Sequence, residues 1–269
     1  MRVASLHTYP VKGCHRLDHD EARVEPWGLA GDRRWMIIDA DGVGVTQRET
    51  TALVRLRPRP RAGGLVLRAA DRPDLDVAEP VDGPAATVRI FRTEEAVPAR
   101  LAGAGAAAWL TGLLGRPVRL AWLDDPTARP VTKAPAGAPI EPGDTVGFAD
   151  AHPLLLANVA SLDALNDWLD EPVPVARFRP NIVVAGAAPW AEDDWIGRRV
   201  VIGAVPFRVV KPCDRCVLTT VDPETGEKGR QPLRVLGEHR RFPGGLMFAV
   251  NLIPDARGTV SVGDEVVPD

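Results

Sequence analysis

Two of the three cysteines lie close together in the segment Lys211-Pro212-Cys213-Asp214-Arg215-Cys216, the part of the sequence best suited to chemistry. A thiol acts as a nucleophile or as a soft-metal ligand only in its thiolate form, and the positive charge of a neighbouring lysine or arginine favours that form. Lys211 and Arg215 supply such charges here. Cys213 and Cys216 are therefore candidates for a reactive or metal-binding site.

Three other interpretations of this pair remain open from the residues alone. A structural zinc ion usually takes four ligands, but the sequence offers neither a second cysteine pair nor a His-x-His cluster. A thioredoxin-type redox pair opens a helix, whereas residues 217–221 are rich in β-forming residues. Two buried structural thiols are the third interpretation.

A second group of candidates combines basic residues with turns. Arg177 and Arg179 precede Asn181 and a strand-like run, and paired arginines suit bidentate binding of phosphate or carboxylate. Lys12 follows the first strand in a tight turn and could neutralise a phosphate, because Gly13 permits a close approach of a ligand. The alternatives are a solvated arginine pair and an ordinary surface turn.

Two further segments carry polar residues just before predicted strands. The glycine-spaced loop 28–35 holds Asp32 and Arg33, which could bridge loops; it is not a dinucleotide-binding fingerprint, because no helix follows its glycines. Asp150 and His152 precede a buried run, and His152 could be a proton donor or an anion contact. A hydrogen-bonded histidine at a strand edge is the plainer alternative.

The elements that must position these residues are mostly strands. Residues 35–39 and 43–46 flank Asp41-Gly42, a strong hairpin signal. Helices are predicted at 104–114, with a stop at Gly115, and at 161–169, with Ser161 as the cap. Residues 124–142, rich in Pro, Ala and Gly, are predicted to be a loop, as a domain junction or an active-site flap. Further strands are predicted at 3–9, 64–67, 75–77, 87–91, 118–123, 153–157, 181–184, 199–202, 205–210, 247–252 and 259–262.

This distribution predicts a mainly β chain with a few helices (α+β), with a β-barrel-rich rather than a doubly wound architecture. The 269 residues carry a formal net charge of −3, which gives no general affinity for nucleic acid or an anionic membrane. Three cysteines do not make a disulfide framework, and a reducing cytosol is their usual setting. No apolar run approaches the ~20 residues that span a bilayer. We therefore expect a cytoplasmic protein without nucleic-acid or membrane partners.

Taken together, the motifs resemble the MOSC family, the fold of molybdenum-cofactor sulfurase C-terminal domains, over nearly the whole chain. Tyr9-Pro10-Val11-Lys12, residues 28–35 and Gln47-Arg48 resemble the MOSC N-terminal β-barrel domain. Phe178-Arg179-Pro180-Asn181, residues 212–223 and Gly226 resemble the MOSC domain itself. The resemblance implies an N-terminal β-barrel-like domain (residues 1–120) packed on a MOSC β-barrel domain (residues 123–267). The most similar subgroup contains the amidoxime-reducing component and its bacterial relatives.

The resemblance also implies roles for the candidate residues. The family's molybdenum-ligating cysteine matches Cys216, whose soft thiolate suits molybdenum that is already held by the dithiolene sulfurs of its pterin. Cys216 is thus the implied catalytic and metal-binding residue, and Asp150 and His152 match a loop on the substrate side. The positions matched to cofactor binding are Lys12, Gly13, Arg33, Asp150, His152, Arg179, Asn181, Asp214 and Arg215.

Three positions depart from the pattern of the relatives. Gly13 and Asp214 each stand where relatives often have serine, and Met247 stands where some have tyrosine. The change at Gly13 removes a hydroxyl contact to the cofactor, and Asp214 places a carboxylate near an anionic ligand. These departures bear on anion binding and substrate choice rather than on Cys216.

The implied function is that of a molybdenum-cofactor (Mo-molybdopterin) oxidoreductase that reduces small N-hydroxylated compounds. No cysteine-rich ferredoxin motif follows residue 216, so the electrons must come from a separate ferredoxin, flavodoxin or flavin reductase. One alternative is a sulfur carrier or cofactor-handling protein that uses a Cys216 persulfide. Another is a non-catalytic relative in which the departures at Gly13 and Asp214 impair cofactor binding.

Overall fold

The computed structural model describes residues 1–133 and 135–269, and strands dominate it, which confirms the predicted mainly β class. The α-helices of the described residues are α1 (Ala104–Leu114), α2 (Val159–Asn166) and α3 (Leu233–His239). The strands are β1 (Arg2–Thr8), β2 (Leu17–His19), β3 (Glu21–Glu25), β4 (Gly28–Leu29), β5 (Trp35–Ile38), β6 (Arg59–Arg61), β7 (Gly64–Leu67), β8 (Leu75–Ala78), β9 (Ala85–Val88), β10 (Val97–Leu101), β11 (Arg119–Trp122), β12 (Leu154–Asn158), β13 (Ile182–Ala185), β14 (Arg199–Ile202), β15 (Val205–Asp214), β16 (Arg241–Phe242), β17 (Gly245–Pro254), β18 (Gly258–Ser261) and β19 (Val266–Pro268).

The largest sheet joins the first strands of the chain to the strands of its second half. Its order is β19-β14-β15-β17-β12-β13-β1-β2, and β16 pairs with β17. β1 runs antiparallel to β13, with Leu6 opposite Ile182, while β12 runs parallel to β13. Val3 and Leu6 thereby enter a buried core with Phe207 and Leu252. The start of the chain is thus part of the sheet that contains β15, the strand that leads to the cysteine pair.

The remaining N-terminal strands build a second group of sheets. One has the order β5-β11-β10-β9 and another the order β6-β7-β8. α1 packs on β11, and its Leu110 is buried with Leu53, Leu65 and Trp122. Strand pairing also links the two halves of the sequence, through β1 with β13 and β3 with β18. The division into residues 1–120 and 123–267 stays a prediction.

The two predicted helices are present, with a different cap for the second. α1 ends where predicted, at Gly115, whose φ of 67° is the left-handed conformation that glycine adopts readily. α2 begins two residues before the predicted start, because the Asn158 side chain caps it by accepting the N–H of Ala160 at 3.1 Å. The prediction that Ser161 caps this helix is wrong, since the Ser161 hydroxyl donates to the carboxylate of Glu192 at 2.8 Å. α3 was not predicted.

The predicted strands are present with small shifts of their ends, but two β-forming stretches adopt other structure. In the stretch 43–46, Val43 and Gly44 form isolated bridges, with Arg89 and Ile38 respectively, instead of a second hairpin strand. Val217–Thr220 forms a 3-10 helix directly after Cys216. The hydroxyls of Thr219 and Thr220 donate to the carbonyls of residues 216 and 217, at 3.0 and 2.8 Å. These local hydrogen bonds compete with strand pairing.

Candidate functional site

A cavity of about 330 Å³ lies where the N-terminal and C-terminal motifs meet. Its described lining holds seven basic side chains and two carboxylates, although the whole chain has a net charge of −3. Positive charge concentrated in a concave surface attracts anionic ligands. The charged residues of the lining are Lys12, Arg33, Arg48, Lys133, Asp150, Arg179, Lys211, Asp214 and Arg215.

The residues that the sequence analysis assigned to the site all line this cavity. They come from the turn after β1, the loop before β5, the loop before β12, the start of β13 and the end of β15. This finding concerns their position, and their individual roles stay predictions. They are Lys12, Gly13, Arg33, Asp150, His152, Arg179, Asn181, Asp214, Arg215 and Cys216.

The three cysteines have different surroundings. Cys216 is half-buried, and its Sγ accepts an N–H of Arg48 at 3.4 Å. Cys213 is also half-buried, and its Sγ accepts from Nη1 of Arg215 at 2.9 Å. Cys14 is fully buried, and burial raises the pKa of its thiol to about 12. The interpretation as buried structural thiols therefore fits Cys14 and not the Cys213–Cys216 pair.

The backbone around Arg215 fixes Cys216 in the cavity wall. β15 ends just before these residues, and the N–H of Arg215 donates to the carbonyl of Leu246 at 2.7 Å. The Arg215 side chain then reaches the carbonyl of Phe178, also at 2.7 Å, and lies over the Phe178 ring. Because the 3-10 helix begins at the next residue, Cys216 sits at the junction between a strand end and a tight turn.

Arg33 and Arg179 both pack against the ring of Tyr9. Their guanidinium carbons lie 4.5 and 4.0 Å from its centroid. Nη1 of Arg33 donates to Asp32 at 2.5 Å, whereas Nη2 of Arg179 is buried without a partner. Burial lowers the pKa of Arg179 to about 10, although Tyr9 opposes this effect. A buried guanidinium with an unpaired N–H is a suitable partner for an anion.

Asn181 joins three segments of the site. Its Nδ2 donates to the carbonyl of His7 at 3.1 Å, and its Oδ1 accepts the N–H of Leu155 at 3.2 Å. The same Oδ1 accepts a hydrogen bond from Nη1 of Arg33 at 3.3 Å. Since these bonds connect β1, β12 and the loop before β5, Asn181 positions Arg33 as well as lining the cavity.

Lys12 and Asp150 form an ion pair in the cavity wall. Burial lowers the pKa of Lys12 to about 8, even though Asp150 favours the charged form. Burial would raise the pKa of Asp150, but Lys12, Arg48 and Arg33 outweigh this effect and hold it well below its usual range. The Asp150 side chain is 53% exposed, so it lies on the open side of the cavity as a carboxylate.

The backbone accounts for glycine at position 13. Gly13 has φ of 79°, and a Cβ at this position would lie 3.2 Å from Cδ1 of Leu53. The Gly13 carbonyl accepts a hydrogen bond from Nε2 of Gln47 at 2.6 Å. This bond holds the turn against the segment that carries Arg48. Glycine therefore suits this turn because it adopts a positive φ without strain.

His152 is a neutral, unpartnered side chain in the cavity. It is buried, and neither ring nitrogen has a hydrogen-bond partner. Burial, followed by the charges of Lys211 and Arg129, lowers its pKa to about 4. Near pH 7 the imidazole thus offers one N–H donor and one acceptor and no charge. The unpartnered ring nitrogens do not fit a hydrogen-bonded histidine at a strand edge, and the role of His152 as a proton donor or an anion contact stays a prediction.

Asp214, the second departure from the family pattern, is exposed at the end of β15. Its carboxylate lies 3.5 Å from Nζ of Lys211, which lines the same cavity. The positive charge of Lys211 offsets the carboxylate, so the cavity keeps its excess of positive charge.

The sequence analysis assigned no site role to Arg48, Phe91 or Lys133. The Phe91 ring lies beneath three cations, with centroid distances of 5.3 Å to Lys12, 4.8 Å to Arg48 and 5.6 Å to Lys133. The sequence contained a signal for two of these residues, because Arg48 lies in the motif Gln47-Arg48 and Lys133 lies in the loop predicted as a possible flap. It contained no signal for Phe91, because a phenylalanine at the end of a strand-like run is usually a core residue.

Two family models match the chain: the MOSC N-terminal beta barrel domain over residues 1–117 and the MOSC domain over residues 143–267. Human mitochondrial amidoxime-reducing component 1 is 33% identical, over 98% of this chain and 82% of the relative. The mouse protein of the same name is 34% identical, over 98% and 81%. Human mitochondrial amidoxime reducing component 2 is 32% identical, over 98% and 82%. The chain belongs to the MOSC family.

In this MOSC protein, residues 1–133 and 135–269 contain no group of three or more His, Cys, Asp and Glu side chains arranged to hold a metal ion. Over the same residues, no helix combines the length and apolar character that crossing a membrane requires.

Proposed function

We propose that this MOSC protein is a molybdenum-cofactor-dependent oxidoreductase that reduces N-hydroxylated small molecules. The observation that carries the proposal is the half-buried thiol of Cys216 in the wall of a cavity with a large excess of basic side chains. Relatives named amidoxime-reducing components support the substrate class, because an amidoxime is an N-hydroxylated amidine. The prediction of an enzyme is confirmed by these relatives, whose names describe a reductive activity.

The residues of the cavity fit an anionic, heterocyclic cofactor. Buried donors and acceptors without a partner include Nη2 of Arg179, Nε of Arg215 and both ring nitrogens of His152. Leaving such a group unpaired costs about 1–3 kcal/mol, so these atoms favour a bound ligand that has many hydrogen-bonding groups. A pterin with a phosphate offers acceptors and donors, and the Cys216 thiolate offers a soft ligand for molybdenum.

Each group of residues has a part in holding the cofactor. Cys216 Sγ would bind the metal, and Arg33, Arg179 and Lys12 would neutralise the phosphate. The stacking of both arginines on Tyr9 keeps their guanidinium groups oriented before the ligand arrives. When bound, the cofactor supplies a molybdenum ion that can take up and release two electrons, the chemistry that cleavage of an N–O bond requires.

The protein residues bind and orient the substrate while protons and water exchange with solvent. Reduction of an N-hydroxyl group consumes two electrons and two protons, breaks the N–O bond and releases water. The exposed side of the cavity at Asp150 gives protons and product a route to solvent. A separate ferredoxin, flavodoxin or flavin reductase would supply the electrons.

The test compares the two cysteines of the pair. Wild type, Cys216→Ala and Cys213→Ala are produced in a host that makes molybdopterin, and the molybdenum and pterin contents of each are measured. Wild type and Cys213→Ala should contain bound molybdenum, while Cys216→Ala should lose at least about nine-tenths of it, since no other thiolate replaces the ligand. Only the molybdenum-containing proteins should reduce an aromatic amidoxime with a chemical reductant.

Two results would contradict the proposal. The first is full molybdenum content and unchanged activity in Cys216→Ala. The second is a wild type without molybdenum whose Cys216 carries the added mass of one sulfur atom, which would support the sulfur-carrier alternative. A wild type with neither bound molybdenum nor an added sulfur atom on Cys216 would favour the non-catalytic alternative.

A further inference from the structure

We propose that Arg48 and Asp150 together bind the N-hydroxyl group of the substrate next to Cys216. In this arrangement Arg48 donates a hydrogen bond to the hydroxyl oxygen, and Asp150 accepts a hydrogen bond from the hydroxyl group. The inference rests on the proposed function and adds two substrate-binding residues and the form of the substrate that they select: a compound with a free N–OH group.

Arg48 is the side chain that connects the Cys216 thiol with the open side of the cavity. Its Nη2 lies 3.4 Å from Cys216 Sγ and 3.4 Å from Oδ2 of Asp150. The contact with Asp150 is long for a hydrogen bond to oxygen, and both contacts use the same nitrogen. A guanidinium has five N–H donors, so Arg48 retains donors for a ligand that occupies the cavity beside the thiol.

The position of Arg48 is fixed from two sides. The Arg48 guanidinium lies 4.8 Å from the Phe91 ring centroid. The Arg48 backbone carbonyl accepts a hydrogen bond from Nζ of Lys228 at 2.8 Å. Stacking on an aromatic ring restrains a guanidinium without using its N–H donors. Arg48 is therefore held near Cys216 by contacts that leave its hydrogen-bonding capacity free.

Asp150 supplies the matching acceptor. One carboxylate oxygen pairs with Lys12, while the other, Oδ2, has the long contact with Arg48. The side chain is 53% exposed to the open side of the cavity, so a hydroxyl group can reach Oδ2 from solvent. A donor and an acceptor side by side match the oxygen and the proton of an N–OH group, respectively.

This pairing has a consequence for specificity. A site built to hydrogen-bond a hydroxyl group discriminates against an analogue that lacks the proton, because Oδ2 of Asp150 then loses its donor and faces the methyl group instead. The reaction itself remains that of the proposed function: the N–O bond breaks, two electrons come from the external donor, two protons come from solvent, and the oxygen leaves as water. Arg48 and Asp150 bind and orient the group and are not consumed.

The experiment measures binding without turnover. Molybdenum-loaded protein without any electron donor is titrated calorimetrically with an aromatic amidoxime and, separately, with its O-methyl ether. The variants are Arg48→Gln, Arg48→Lys and Asp150→Asn. The control is Arg92→Gln, because Arg92 lies one residue after Phe91, has a 69% exposed side chain that pairs with Asp41 at the surface, and does not line the cavity.

Wild type and Arg92→Gln should bind the amidoxime about tenfold more tightly than its O-methyl ether, as expected for one hydrogen bond to a charged group. Asp150→Asn should bring this ratio close to one. Arg48→Gln should weaken binding of both compounds by about tenfold, and Arg48→Lys should recover part of the loss. With an electron donor, the same variants should raise KM more than they lower kcat.

Three outcomes would overturn the inference and leave the proposed function intact. The first is a wild type that binds and reduces the amidoxime but does not discriminate against the O-methyl ether. The second is unchanged binding of the amidoxime in Arg48→Gln. The third is loss of molybdenum in Arg48→Gln with normal molybdenum content in Arg48→Lys. The last result would assign Arg48 to cofactor retention. A wild type that contains no molybdenum contradicts the proposed function itself, so the two failures are distinguishable.

Discussion

The charge of Lys12 depends on two opposing effects of its surroundings. Burial disfavours the ammonium form, whereas the carboxylate of Asp150 favours it, and the net result lowers the pKa to about 8. Lys12 is thus mostly protonated at pH 7 and mostly neutral at pH 9. A phosphate monoester stays close to its dianionic form over this range, because its second pKa is about 6.

We predict that anion binding to the cavity weakens as the pH rises through 8. The dissociation constant of a phosphate monoester such as phenyl phosphate for cofactor-free protein, measured calorimetrically, should increase by about tenfold between pH 7 and pH 9, since one charge-assisted contact is lost. Lys12→Arg should bind with little pH dependence, because a guanidinium stays protonated throughout. An equally steep pH dependence in Lys12→Arg would show that another group is responsible.

Strand β4 and the residue after His152 approach each other closely. Gly28 has φ of 120°, and a Cβ at this position would lie 2.9 Å from the carbonyl oxygen of Pro153. This contact ties the loop before β5, which carries Arg33, to the loop that carries Asp150. Gly31, in the same loop, has φ of 80° but nothing within 4 Å of a Cβ.

Alanine substitutions at these two glycines should separate backbone strain from steric clash. Gly31→Ala should cost about 1 kcal/mol of unfolding free energy, for strain alone, while Gly28→Ala should cost about 2–3 kcal/mol because a backbone clash is added. Urea denaturation of both variants measures the difference. Gly28→Ala should also lower molybdenum content, since Pro153 adjoins His152, and equal effects of the two substitutions would contradict this account.

The two halves of the sequence share one sheet and one cavity. Strand β13 pairs with β1, and strand β18 pairs with β3. Val3 and Leu6 of β1 belong to the buried core that contains Phe207. The cavity likewise takes residues from both halves: the first half contributes Lys12, Gly13, Arg33, Arg48 and Phe91, and the second contributes the other site residues, among them Cys216.

We therefore predict that residues 123–269 do not fold alone. Removal of β1 to β4 exposes the edge of β13 and part of the core, so this fragment should aggregate or lack a cooperative thermal transition in circular dichroism. Co-expression with residues 1–122 should restore a soluble complex with a melting transition. A cooperative transition of the isolated fragment near that of the intact chain would show that the second half is independent of the first.

Local sequence patterns were sufficient for most elements of this fold. The ends of α1 and the positions of β7, β14 and β18 agree with the pattern of β-forming runs, turns and stop signals, because these signals act over a few residues. Two of the errors arose where side chains made unforeseen local bonds. Ser161 binds Glu192 instead of capping α2, and the hydroxyls of Thr219 and Thr220 favour a 3-10 helix over a strand.

The sequence by itself determined the β-rich class, the family and ten of the residues that line the cavity, because motif order and residue type need no coordinates. Tertiary structure alone decided which of them touch. Arg48 meets Cys216 across 168 residues, and Arg33 and Arg179 share the ring of Tyr9. Burial likewise decided that His152 is neutral and that Lys12 titrates near pH 8. Distances between remote segments and the exclusion of water follow from the packing of the whole chain, and no local pattern contains them.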